Sequence, residues 1–172
     1  KVTLRHLLTH TAGWLGDYFD DTGPGEDALE IIVQRMAKLP QVTPLGEMWS
    51  YNNAAFYLVG RLVEVAGGMP YETLARQLVL EPLGMRQSFF FASEVISYRN
   101  FAGHEAVVGE QRTPKVLRPW GMGRSGNPVG GLACSIEDLL RYARFHMGNG
   151  AAENGQRLLS AAMLKQMHSP QV

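Results

Sequence analysis

Tyr51 and Asn53 stand two positions apart at the end of Pro44-Leu45-Gly46-Glu47-Met48-Trp49-Ser50-Tyr51-Asn52-Asn53, directly ahead of a long apolar stretch. Residues two apart in extended backbone point the same way, so the phenol and the carboxamide can share one surface. Side by side they supply a proton carrier and a two-way hydrogen-bonding group. That is equipment for proton transfer on a polar substrate. The same residues also have a plain structural use, with Asn53 capping the helix that follows and Tyr51 packing on the loop.

Three other patterns carry less chemistry. His6 and His10 lie four apart, as zinc ligands on one helix face would, but position 7 is Leu where a metalloprotease would carry its Glu. We read both as hydrogen-bonded structural histidines and expect no metal. Gly121-Met122-Gly123-Arg124-Ser125-Gly126 spells G-x-G-x-x-G, yet Pro119-Trp120 precedes it and Asn127-Pro128 follows. A dinucleotide site needs a strand before and a helix after, so this run reads as turning backbone and no cofactor is expected. Ser125 lacks the glycine spacing of a nucleophile elbow and reads as a loop serine.

The elements that must position these residues are mostly helical. Leu4, Leu7 and Leu8 have helical spacing, and Gly13 marks the end. Asp17 to Asp27 is a loop. Asp27 then caps a helix over Ala28 to Leu39, with Glu30 completing a capping box and Pro40 as the stop. Ala54 to Ala66 is apolar nearly all round apart from Arg61 and Glu64, which predicts a mostly buried helix ending at Gly67-Gly68. Pro70 opens a further helix over Tyr71 to Leu80. Ser88 to Phe91, Phe101 to Val108 and Lys115 to Leu117 are short strands or extended loop, and Arg118 to Leu132 is an irregular connection. Ser135 caps a helix over Ile136 to Met147, and a last helix runs from about Ser160 to His168.

Composition bounds the partners. The 172 residues carry 16 basic and 16 acidic side chains, so nothing favours nucleic acid or an anionic membrane surface. No apolar run approaches the ~20 residues of a membrane span. One cysteine, Cys134, excludes an internal disulfide and a cysteine-rich zinc site. Neither the composition nor the lone cysteine assigns a compartment. The chain starts at Lys1 without Met and ends at Val172 without an evident stop, from which we expect a segment of something longer.

With these elements in place, the sequence resembles the serine β-lactamase and penicillin-binding-protein superfamily, in the branch of class C β-lactamases, D-Ala-D-Ala carboxypeptidases and related esterases. Leu4-Arg5-His6-Leu7-Leu8-Thr9-His10-Thr11-Ala12-Gly13 is similar to the family's R-H-L-L-T-H-T-S-G block. Tyr51-Asn52-Asn53 fits its Y-x-N element, and Glu81-Pro82-Leu83-Gly84-Met85 its P-L-G-M block. Gly130-Gly131-Leu132 with Ser135, Asp138 and Leu139 fits G-G-L-x-S-x-x-D-L. The blocks follow family order across nearly the whole chain.

The resemblance implies a serine that attacks a carbonyl and an acyl-enzyme released by water, with Tyr51 relaying the serine's proton and Asn53 bonding the substrate or the lysine. The serine and lysine of the family come from an S-x-x-K turn, and a K-T-G or H-x-G strand completes the cleft. None of the eight serines has Lys three residues on, and K-T-G is absent. His146-Met147-Gly148 fits H-x-G only by chance, because it closes a predicted helix. An ordinary phenol, with pKa ~10, is about 0.1% ionised at pH 7, and a nearby ammonium is what favours its charged form.

We therefore expect an α+β, mostly α chain: residues 1–172 as a single segment, the helical portion of a β-lactamase/transpeptidase-like fold with a few short strands and the main sheet largely missing. Its partners would be the missing N- and C-terminal parts of the parent domain and, within that parent, a small-molecule acyl substrate. Alone it should be inactive and prone to self-association through exposed apolar surface. The alternative is a self-standing, non-catalytic helical binding or scaffold module.

Overall fold

The computed structural model describes residues 1–105, 114–117 and 122–172. Its helices are α1 (Leu4–Leu8), α2 (Ala28–Met36), α3 (Asn53–Gly67), α4 (Tyr71–Ala75), α5 (Ala92–Val95), α6 (Asn127–Gly130), α7 (Ile136–Met147) and α8 (Ala161–Met167). A π-helical turn, Arg76–Leu80, prolongs α4, and a 3₁₀ turn, Arg124–Gly126, leads into α6. The strands are two residues each: β1 (Ser88–Phe89), β2 (His104–Glu105), β3 (Lys115–Val116) and β4 (Ala133–Cys134). β1 pairs with β4 and β2 with β3, both antiparallel, giving the predominantly helical α+β chain that the sequence predicts.

The buried apolar residues fall into three groups. Leu29, Ile32 and Met36 of α2 meet Ala54 and Tyr57 of α3. Leu7 of α1 packs with Ala12 and Ala55. Leu80, Leu83, Met85, Phe90 and Phe145 form the third, and Tyr71 packs against both this group and the first. Gly60 lets α3 lie directly against Pro128 and Leu29, since a methyl there would collide with the proline ring.

Buried acids tie the elements together. Asp138, 1% exposed, accepts from the Gln87 N–H at 2.6 Å and the Ser88 hydroxyl at 2.8 Å, fastening α7 to β1, and pairs with Arg141 at 2.7 Å. Glu72 accepts from Arg124 through both oxygens at 3.2 Å and from Asn127 at 2.6 Å, joining α4 to α6. Glu64 of α3 pairs with Arg61 and accepts from the Tyr71 N–H at 3.1 Å.

Several expectations change. α1 ends at Leu8 with Thr9 as its C-cap, the Thr9 hydroxyl bonding back to the Arg5 carbonyl, and the chain first turns left-handed at His10 (φ 58°), three residues before Gly13 (φ 76°). Asp27 caps α2 without a side-chain bond, and Glu30 reaches Arg61 instead of closing a capping box. α2 stops at Met36, three residues before the predicted end. α3 is buried on one face only, with Leu62 and Val65 45% and 67% exposed. Residues 122–132 carry two short helical turns in place of irregular chain, because Pro128 suits a first turn and Asn127 is held by Glu72. Residues 106–108 and 118–121, including Gly121 of the glycine run, lie outside the described residues.

Candidate active site

Asn52 fixes the region around Tyr51. It is extended (φ −139°, ψ 96°) and 1% exposed. Its Oδ1 accepts from the Ala55 N–H at 2.8 Å, and its Nδ2 donates to the Trp14 carbonyl at 3.1 Å. Asn52, not Asn53, is thus the N-cap of α3, with one carboxamide closing the helix and holding the 14–18 loop. Gly16 of that loop lies against the Tyr51 carbonyl, where a methyl would not fit, and its own carbonyl accepts from the Ala54 N–H at 3.1 Å.

Asn53 opens α3, so the alternation expected of an extended segment stops at Asn52, and Tyr51 and Asn53 meet different partners. Tyr51 is 57% exposed, and its hydroxyl has no hydrogen bond among the described residues. Its ring stacks on His10 with centroids 4.6 Å apart and planes 29° apart. Asn53 is half-buried, and its Nδ2 donates to Asp17 at 3.0 Å. A carboxylate can only accept, so the Asn53 amide must give it the N–H side, leaving Oδ1 as the acceptor for another donor.

His10 sits beneath this surface. Its Nδ1 accepts from the Asn52 N–H at 3.0 Å, and its carbonyl accepts from the Ser50 N–H at 2.9 Å. Phe56 lies 5.3 Å from its ring and Trp49 6.0 Å, edge-on. Burial holds its pKa below the ordinary 6.5. His6 turns to Thr3 instead, taking the Thr3 N–H at 3.1 Å in a capping box, so the two histidines have separate structural bonds. Among the described residues, no three His, Cys, Asp or Glu side chains group as a metal site.

Six of the eight serines are buried, cap helices or bond their own helical turn, whereas Ser50, next to Tyr51, and Ser93 are exposed and their hydroxyls have no hydrogen bond among the described residues. Ser88 and Ser125 are buried, Ser135 and Ser160 cap α7 and α8, and the hydroxyls of Ser97 and Ser169 bond carbonyls of their own helical turns. No ion pair or hydrogen bond among the described residues brings a lysine amine to Tyr51. The site therefore offers a phenol and an amide acceptor, with Ser50 as the adjacent hydroxyl but no serine that has a lysine three residues on.

The sequence reading left out Asn52, Asp17 and the contact between His10 and Tyr51. The Asn52-Asn53 doublet was the available signal for the cap, because only one residue can occupy an N-cap. Asp17 carries no local signal, lying 36 positions from its partner.

A family model described as Beta-lactamase matches residues 1–172. The chain is 35% identical over 162 residues to penicillin-binding protein 4 of Amycolatopsis lactamdurans, covering 94% of this chain and 42% of that protein. It is 35% identical over 106 residues to an esterase of Burkholderia gladioli, covering 54% of this chain and 27% of that protein. The crystal structure of a penicillin-binding protein from Bacillus halodurans superposes with TM-score 0.72 at 26% identity, over 99% of this chain and 53% of that one. The chain thus spans less than half the length of these curated relatives. Among the described residues, no helix is long and apolar enough to cross a membrane.

Proposed function

The chain belongs to the beta-lactamase family, and from that premise we propose that residues 1–172 supply the tyrosine–asparagine wall of a serine hydrolase whose nucleophilic serine and lysine lie outside them. The observation that carries this reading is the exposed Tyr51 hydroxyl, unbonded among the described residues, two positions before an Asn53 amide whose N–H is already held by Asp17. In the assembled site Tyr51 takes the proton of the attacking serine and returns it to the leaving group. The free Asn53 Oδ1 accepts from an ammonium or from a substrate amide N–H. Alone, the chain has a proton carrier without the S-x-x-K serine and lysine it would serve, and is inactive.

The substrate is a small acyl compound, a β-lactam, a D-Ala peptide or an ester, a range supported by relatives named as penicillin-binding protein and esterase. Exposed apolar residues support a parent domain that continues over α3 and α7: Leu62 and Val65 on one, Ile136, Leu139 and Leu140 on the other. Beside α7 a cavity of about 400 Å³ opens among Tyr71, Val79, Leu132, Leu139 and Tyr142.

The test joins the chain to flanking sequence that contains S-x-x-K and follows acylation by a labelled penicillin or fluorophosphonate. Acylation of the upstream serine, lowered about 100-fold or more by Tyr51→Phe, is expected. Acylation at an unchanged rate in that variant would overturn the role of Tyr51. The second reading, a self-standing helical module, is favoured by one observation: three buried clusters and buried, paired acids within the chain itself. A cooperative melt of a monodisperse monomer would support it.

A further inference from the structure

Tyr51 poses a mechanical difficulty. Its ring is more than half exposed and its hydroxyl is unbonded among the described residues, so no hydrogen bond among them fixes its rotamer. A relay group must hold its direction to be effective. We propose that His10 is the positioning residue that holds Tyr51, an inference that rests on the role given to Tyr51 above.

Three features of His10 converge on the Tyr51 peptide. Its ring is the platform on which the phenol ring stacks, 4.6 Å between centroids. Its Nδ1 takes the N–H of Asn52, the residue after Tyr51, and its carbonyl takes the N–H of Ser50, the residue before. One residue therefore grips both flanking amides and one ring face. Doing so requires the left-handed backbone of His10, φ 58°, a conformation that His tolerates better than most non-glycine residues. Phe56 and Trp49 pack around the imidazole and fix it in turn.

The clamp works only with a neutral ring. A backbone N–H can donate only to an unprotonated Nδ1, so protonation there breaks the bond to Asn52. The titratable and charged groups on the surrounding elements are Arg5 and His6 of α1, Asp17 of the loop before α2, Glu47, Tyr51, and Tyr57, Arg61 and Glu64 of α3. Of these, Tyr51 stacks on the ring, His6 is bonded to Thr3, and Asp17 to Asn53. Burial keeps the imidazole neutral to lower pH than a free histidine.

The chain carrying 3-fluorotyrosine at position 51 reports on the clamp by fluorine NMR, with its resonance identified by loss in Tyr51→Phe. In the wild type, the fluorine shift should move in step with the His10 imidazole titration, below pH 6.5, a measurement that needs no His10 variant. His10→Asn keeps the acceptor and tolerates the left-handed backbone but removes the stack, so the resonance should move toward that of free tyrosine. His10→Phe keeps a stacking ring and removes the titration, so the pH-dependent shift should vanish. In the longer hydrolase, His10→Asn should lower the acylation rate constant about tenfold or more with little change in KM. A Tyr51 signal indifferent to His10 protonation and to His10→Asn, or an unchanged acylation rate, overturns the inference. A longer hydrolase in which no serine acylates would instead overturn the reading of Tyr51, while the fluorine signal still decides whether the clamp exists.

Discussion

At the scale of residues, neighbouring asparagines have different tasks. Asn52 carries structure, because its carboxamide caps α3 and holds the Trp14 carbonyl. Asn52→Ala should lower unfolding free energy by about 1–3 kcal/mol, combining a lost cap with an orphaned acceptor. Asn53→Ala removes one half-buried bond to Asp17 and should cost less than about 1 kcal/mol. Urea melts of the two variants check the ranking, and equal losses would contradict the assignment of the cap. A histidine whose folded pKa lies below 6.5 binds protons less readily than in the unfolded chain. Stability from His10 and His146 is thus fully present above about pH 6.5, declines as pH falls through that value, and levels off below the folded pKa. For His146 the cause is burial first and then the neighbouring His168, whose Nε2 lies 3.0 Å from its Nδ1. Thermal melts should show the midpoint falling between pH 7 and pH 5, less steeply in His146→Gln.

Elements show why some of this was readable and some was not. The cap at Ser135 could be read because serine, an acidic first turn and helical spacing all sit within a few residues, and its hydroxyl bonds the expected N–H, whereas Ser160 was read only as the start of the last helix and its hydroxyl also caps it. The Asp27–Glu30 box looked as sound locally, yet Glu30 serves Arg61, 31 positions away. Long-range partners override local signals in this way, and none is visible in a ten-residue window. The family block around Asp138 was legible as a pattern, whereas its physical use was not: the carboxylate holds the backbone of Gln87 and the side chain of Ser88, about 50 residues upstream. Asp138→Ala should cost about 3 kcal/mol by orphaning those two donors, and Ser88→Ala about 1 kcal/mol. Denaturant melts of the pair check the order. Tyr51 and Asn53 could be named together because they stand two apart in sequence just before the apolar helix, although Asn53 proves to be its first residue, while His10 meets Tyr51 only through the left-handed turn after α1.

The whole molecule carries buried cores and open apolar faces together. α3 was expected to be mostly buried because it is apolar nearly all round; its second face, with Leu62 and Val65, is exposed within the chain. Sedimentation should therefore show concentration-dependent association, reduced by Leu62→Lys with Val65→Lys and with little loss of thermal stability, since neither side chain is in the core. The chain also lacks S-x-x-K, and of its serines only Ser50 and Ser93 are neither buried nor used in caps or helical turns. Intact-mass spectrometry of the chain after incubation with a labelled penicillin and with a fluorophosphonate tests the central point most directly. The mass should remain that of the unmodified chain, whereas a stoichiometric covalent adduct on any of its own serines would contradict the account.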